Sequence, residues 1–178
     1  MTGAFVAIVG PSGSGKDTIL GYARDALAAE DAFVFPRRCV TRPSGPGEDH
    51  EPVASDAFAS AEARGDFALT WRAHGLGYGI PASVRGQIDA GRIIVANISR
   101  GSVGEARAAF ARVVVVCITA PAEVRLARIL ARGREDEAAA RARIARASPR
   151  VAADLEIVND GTVDAAGATL VGFLRALR

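Results

Sequence analysis

The sequence predicts an α/β fold of three layers: a parallel sheet with helices on both faces. Three observations predict it. Short β-branched runs are apolar throughout, helical patterns separate them, and a glycine-rich turn joins the first run to the first helical pattern. The chain has 178 residues, 49% hydrophobic and 24% charged. That suits one compact domain with its own core and excludes a disordered or collagen-like chain.

Taken in order, residues 4 to 9 (AFVAIV) read as a buried strand, and DTILGYARDALAAE, just after the glycine-rich turn, has helical spacing. Further strands are expected at 92 to 98 (RIIVANI), 113 to 118 (VVVVCI) and 154 to 158 (DLEIV). Helices are expected near 81 to 90, 102 to 111, 121 to 131, 136 to 147 and 163 to 177. Between 37 and 82 the alternation stops. A Pro/Gly-rich stretch (RPSGPGEDHEP) precedes a short helical pattern near 55 to 64 and then FALTWRAHGLGYGI, which suggests strands and tight turns. Residues 37 to 82 are therefore expected to form an acceptor-binding insertion. GREDE at 133 to 137 interrupts an arginine-rich helical stretch and reads as the hinge of a lid over 133 to 149. That leaves 1 to 36, 83 to 132 and 150 to 178 as the core.

The glycine-rich turn is GPSGSGKD, running from Gly10 to Asp17 between a strand and a helix. Gly10, Gly15 and Lys16 satisfy the G-x-x-x-x-G-K pattern of a phosphate loop, the signature of P-loop NTPases. Its glycines let backbone N–H groups converge on phosphate oxygens, and the helix N-terminus adds a favourable dipole. Lys16 is the only lysine among 22 basic residues and supplies a mobile charge to the β and γ phosphates. Gly10, Pro11, Ser12, Gly13, Ser14, Gly15, Lys16, Asp17 and Thr18 are thus the expected ATP-binding segment. A glycine-rich turn with a solvated lysine is the competing explanation. After the lysine the pattern calls for a Ser or Thr hydroxyl on Mg²⁺, and this chain has Asp17 followed by Thr18. A carboxylate beside a triphosphate is repelled unless a cation lies between them, so Asp17 is expected to help hold Mg²⁺, directly or through water. A first-turn carboxylate complementing the helix dipole is the alternative.

With that loop, VTRPSGPGE (40 to 48), HGLGYG (74 to 79), RILARGRED (128 to 136) and VNDG (158 to 161) occur in the order seen in guanylate kinases, and the resemblance spans nearly the whole chain. It implies a P-loop core, a monophosphate-binding insertion and an arginine-bearing lid. Two positions depart from that family. Its second acceptor-phosphate arginine falls on Gly45, and its guanine-reading glutamate on Leu69. Leucine cannot hydrogen-bond a base, which argues against GMP as acceptor. GPSGSGKD, the TR and EDH (48 to 50) elements, LTWRAHGLGYG, the SR of ANISR, RGRED and VNDG together resemble the ribose 1,5-bisphosphate phosphokinases of phosphonate catabolism. That resemblance implies conversion of ribose 1,5-bisphosphate and ATP to 5-phospho-α-D-ribose 1-diphosphate and ADP, with Mg²⁺ accompanying ATP.

Phosphoryl transfer to a phosphate oxygen needs no strong base, so arginines are expected to dominate the site. By the resemblance, Arg42 grips the acceptor phosphate; a solvated turn residue is its alternative. Arg125, Arg128 and Arg132 fall on one helix face, a pattern that an ordinary solvated face also produces. The resemblance matches Arg128, Arg132 and Arg143 to catalytic lid arginines, with Arg134 a weaker match. Ser99 and Arg100, just past a strand end, sit where an α/β sheet opens its ligand crevice, or else act as a helix cap and a surface charge. His74, Tyr78 and Trp71 are candidates for the sugar pocket, or packed aromatics. Asn159 either contacts the adenine edge or belongs to an Asn-Asp-Gly turn.

A formal charge of +2 does not advertise nucleic acid, and no apolar run approaches membrane-spanning length. A cytoplasmic protein without a signal peptide, and without nucleic-acid or membrane partners, is expected. Cys39 and Cys117 are expected to be buried free thiols and His50 and His74 not to ligate zinc. A homodimer stays open. The competing functions are a guanylate or other nucleoside monophosphate kinase and a non-catalytic guanylate-kinase-like binding module.

Overall fold

The computed structural model describes residues 3–45, 49–131, 133, 136–145 and 150–178. Among the sites expected above, Arg132 and Arg134 lie outside these residues, as do Glu48 and the end of the helical pattern at 146–147.

β1 (Ala4–Val9) lies at the centre of a five-stranded parallel sheet, and every one of its residues is buried. Its neighbours are β7 (Ile93–Asn97) and β8 (Val113–Thr119), and the edges are β2 (Phe33–Val34) and β9 (Leu155–Val158), in the order β2-β7-β1-β8-β9. Alternation along the strands divides the core in two, since successive side chains point to opposite faces. Val6, Ile8, Ile93, Val95, Val114 and Val116 face α1 (Lys16–Ala26) and α7 (Val163–Ala176), meeting Ile19, Leu170 and Leu174. Phe5, Ala7, Val9, Ile94, Ala96 and Val115 face the other way. There they pack with α3 (Val84–Asp89), α4 (Val103–Ala109) and Phe110, whose ring stacks on Phe5 at 4.5 Å. Both faces of the sheet are covered, which is why its strands read as continuous apolar runs rather than alternating ones.

A second sheet contains β3 (Arg38–Val40), β4 (His50–Pro52), β5 (Phe67–Ala73) and β6 (Leu76–Pro81), in the order β4-β3-β6-β5. β3 pairs with β4 in parallel and with β6 antiparallel, and β5 and β6 form an antiparallel hairpin whose turn carries His74 at φ 53°. α2 (Ser55–Arg64) buries Phe58 against the hairpin, where it stacks on Phe67. Leu69, Trp71 and Ile80 join the core cluster on the α3/α4 face and so bind this sheet to the main one. α5 (Ala122–Ala131) and α6 (Glu137–Ala145) make a small separate cluster through Leu126, Ile129 and Ala140.

Most expected strands and helices fall within a residue or two of those observed, but α1 ends at Ala26, four residues before its pattern does, α3 begins at Val84, three residues later than expected, and the sheet has a fifth strand. β2 has only two residues, too few to carry a periodic signal. Cys39 and Cys117 are free but half-buried rather than fully buried, and burial pushes both thiols above their ordinary range. No helix among the described residues is long and apolar enough to cross a membrane.

Candidate active site

The loop after β1 leads directly into α1, with Gly15 as the helix N-cap and Lys16 as its first residue. Its backbone requires glycine. Gly10 has φ 148° and Gly15 φ 87°, and a Cβ on Gly15 would stand 2.4 Å from Asn159 Nδ2. Lys16 Nζ donates to the carbonyl oxygens of Gly10 (2.9 Å) and Pro11 (3.0 Å), folding back over its own loop.

Three arginines of α5 and α6 converge on this loop. Arg125 Nε donates to Ser12 O at 2.9 Å and Arg143 Nε to Ser12 Oγ at 3.1 Å. Arg128 NH1 donates to Asn159 O at 3.1 Å. Asn159 is buried just beyond β9, and its Nδ2 donates to Ser14 O at 2.8 Å. Asn159 Oδ1 and Ser14 Oγ are buried without a hydrogen-bond partner among the described residues. Arg125 is pulled below the ordinary guanidinium range. Burial is the larger cause, and the Arg100 charge adds to it.

Beside the loop, between α1 and the second sheet, lies a cleft of about 330 Å³. Arg38, Arg42, His50 and Tyr78 line one wall, while Asp17, Arg24 and Asn97 come from the main fold. Asn97, at the end of β7, donates from Nδ2 to Asp17 Oδ1 at 2.8 Å. Arg38 NH1 donates to Asn97 O at 3.1 Å and NH2 stands 3.8 Å from the same Asp17 oxygen. His50 is 2% exposed, and its Nε2 lies 3.2 Å from Arg42 O. Tyr78 lies flat against Trp71, with ring centroids 5.2 Å apart. At the outer end, Asp49 pairs with Arg24 of α1 and with Arg37, which also reaches Glu51.

Of the expected site residues, the structure gathers Lys16, Arg128, Arg143 and Asn159 around the loop, and Asp17, Arg42 and Tyr78 around the cleft. Thr18 is exposed in the first turn of α1. Ser99 accepts from Gly101 N at 3.3 Å as the cap of a short 3₁₀ turn. Arg100 lines a different cleft, with Cys117, Arg150 and Glu156. His74 does not line the cleft beside the loop. It is exposed in the β5–β6 turn, because the strand ends at Ala73 and the face that Trp71 and Tyr78 share does not continue to it. Arg24, Arg38, Asp49, His50 and Asn97 were not singled out from the sequence as binding residues. The EDH run of the resemblance contains Asp49 and His50. Among the described residues no three His, Cys, Asp or Glu side chains gather as a metal site.

A parallel sheet ending in a lysine-bearing anion loop, flanked by an arginine-rich cleft, defines a P-loop phosphotransferase. Residues 6–147 match the AAA domain family. The chain is 50% identical over 177 residues to ribose 1,5-bisphosphate phosphokinase PhnN of Acidiphilium cryptum, covering 99% of this chain and 95% of that protein. It is also 50% identical over 176 residues to the protein of that name from Methylobacterium radiotolerans, covering 99% of each. The chain belongs to the ribose 1,5-bisphosphate phosphokinase PhnN family. In fold it resembles guanylate kinase from Anaplasma phagocytophilum, with a TM-score of 0.71 at 18% identity over 99% of this chain and 86% of that one.

Proposed function

We propose that the protein transfers the γ-phosphoryl group of ATP to the 1-phosphate of ribose 1,5-bisphosphate, giving 5-phospho-α-D-ribose 1-diphosphate and ADP in cytoplasmic phosphonate degradation. The observation that carries this reading is the 50% identity to the named phosphokinases over nearly the whole chain. The phosphate loop beside an arginine-lined cleft supports it chemically. GMP is disfavoured because Leu69, 5% exposed, is packed in an apolar cluster and offers no hydrogen bond to a base.

The acceptor phosphate is already ionised, so the residues position and neutralise rather than remove a proton. On this reading Lys16 leaves the carbonyls of Gly10 and Pro11 for the β and γ oxygens of ATP. Arg128 and Arg143, on the lid side of the loop, neutralise charge during transfer, and Arg42 and Tyr78 hold the acceptor. Residues 37 to 82 serve as the acceptor-binding insertion and 133 to 149 as the lid. Arg143→Ala is expected to lower kcat/KM by about tenfold to a hundredfold, most of it in kcat. A change confined to KM for ATP would mean that it binds nucleotide without acting in transfer.

Mg²⁺ fits the donor set. One carboxylate plus phosphate oxygens and water is an ordinary arrangement for this ion, and Asn97 engages only Oδ1 of Asp17. Bound there with ATP, Mg²⁺ would neutralise phosphate charge. Asp17→Ser is expected to raise the Mg²⁺ concentration needed for half-maximal turnover severalfold. An unchanged Mg²⁺ dependence would end the metal role of Asp17. The test of the function is ADP release with Mg²⁺-ATP and either ribose 1,5-bisphosphate or GMP, with products identified by phosphorus NMR. A new diphosphate on ribose with GMP inert is expected; turnover of GMP alone would overturn the reading.

A further inference from the structure

The chain through β3 presents two arginines to the cleft, one opening the strand and one just past its end. Arg38 opens the strand, Val40 follows on the same face, and Arg42 lies two residues beyond; all three line the cleft. In an extended strand four residues separate Arg38 and Arg42 by about 13 Å at most. Tyr78, paired with Val40 across the sheet, fills the interval together with Val40. The wall thus runs cation, apolar and aromatic surface, cation.

Arg38 is packed at the edge of the cleft rather than left in solvent. Only 20% of its side chain is exposed, although it borders a cleft. Asn97 O takes one N–H, and Asp17 Oδ1, at 3.8 Å, is beyond hydrogen-bond range. A guanidinium has five N–H donors in a planar fork suited to phosphate, so most of its capacity remains available on the cleft side. At the other end, buried His50 meets the carbonyl of residue 42 and fixes where the chain leaves the strand.

We infer that Arg38 is a specificity-determining residue that holds one of the two phosphates of a sugar bisphosphate, while Arg42 holds the other. This rests on the proposed acceptor, and it explains how the cleft selects a bisphosphate over a sugar monophosphate. Both phosphates gain a charge-assisted contact, and the ribose spans Val40 and Tyr78. A monophosphate leaves one guanidinium in a partly dry cleft without its anion.

The test is calorimetric binding of ribose 1,5-bisphosphate, ribose 1-phosphate and ribose 5-phosphate to the wild type, Arg38→Gln, Arg38→Lys and Arg42→Gln, beside ADP release by the wild type. The wild type should bind the bisphosphate more tightly than either monophosphate. Arg38→Gln should weaken the bisphosphate by about tenfold or more and weaken only one monophosphate. Arg42→Gln should weaken the bisphosphate and the other monophosphate, and Arg38→Lys should recover part of the loss. If Arg38→Gln weakens both monophosphates equally, or neither, the inference is overturned, as it is if the wild type does not prefer the bisphosphate. A wild type that prefers the bisphosphate and shows this pattern, but releases no ADP with it, would overturn the proposed reaction and leave the two-station cleft standing.

Discussion

Replacing Lys16 with methionine is expected to lower kcat by about a thousandfold or more while leaving the fold intact. Methionine keeps the length of the side chain and removes its charge. Two of the lysine's hydrogen bonds go to carbonyls of its own loop, at Gly10 and Pro11, and tie no distant elements together, so the fold is expected to survive their loss. Phosphoryl transfer loses far more, because charge building on the γ-phosphoryl oxygens would lack the cation placed at the helix N-terminus. The arginines at Ser12 and Asn159 hold contacts of their own. ADP release together with a thermal melt decides the matter. A variant within tenfold of wild-type kcat, with an unchanged melt, would move the transfer chemistry away from this loop.

The second large effect concerns stability. Gly10→Ala is expected to cost about 3 to 5 kcal/mol and to lower Tm by roughly 6 to 20 °C. At φ 148° an L side chain is strained, and a Cβ there would stand 2.0 Å from Ile118 O, a backbone atom of β8. No rotamer change removes that clash. The loop must shift, or the β1–β8 pairing that runs to Val9 and Cys117 must loosen. ATP affinity should fall with it, since the loop's N–H groups lose their common focus. A melt within about 2 °C of wild type would show that the loop relaxes at little cost.

The two effects arise in the part of the site most legible in the sequence. A phosphate loop is contiguous, so its glycines, its lysine and its place between strand and helix can be read along one short run. β1 and β8 were legible for a related reason: a strand buried on both faces must be apolar at every position, and AFVAIV and VVVVCI are. The helix at 55–64 appeared with its bounds, whereas β2, β3 and β4, of two or three residues each, are too short to show a period.

The cleft was far less legible. Its residues come from α1, β3, β4, β6 and β7, and nothing in their spacing says that Asn97 meets Asp17 eighty positions away or that Arg38 reaches Asn97. Tyr78 was named from its motif and lines the cleft. His74, from the same motif, does not, because a tight turn ends the alternation that would have aimed it inward. The sequence by itself determined the layered α/β class, the anion loop and the arginine-rich character of the site, because these depend on local pattern and composition. Which arginines line the cleft and which meet the loop was decided only by tertiary structure. A charged side chain's role depends on what lies within a few ångströms of it, and packing between distant elements sets those distances.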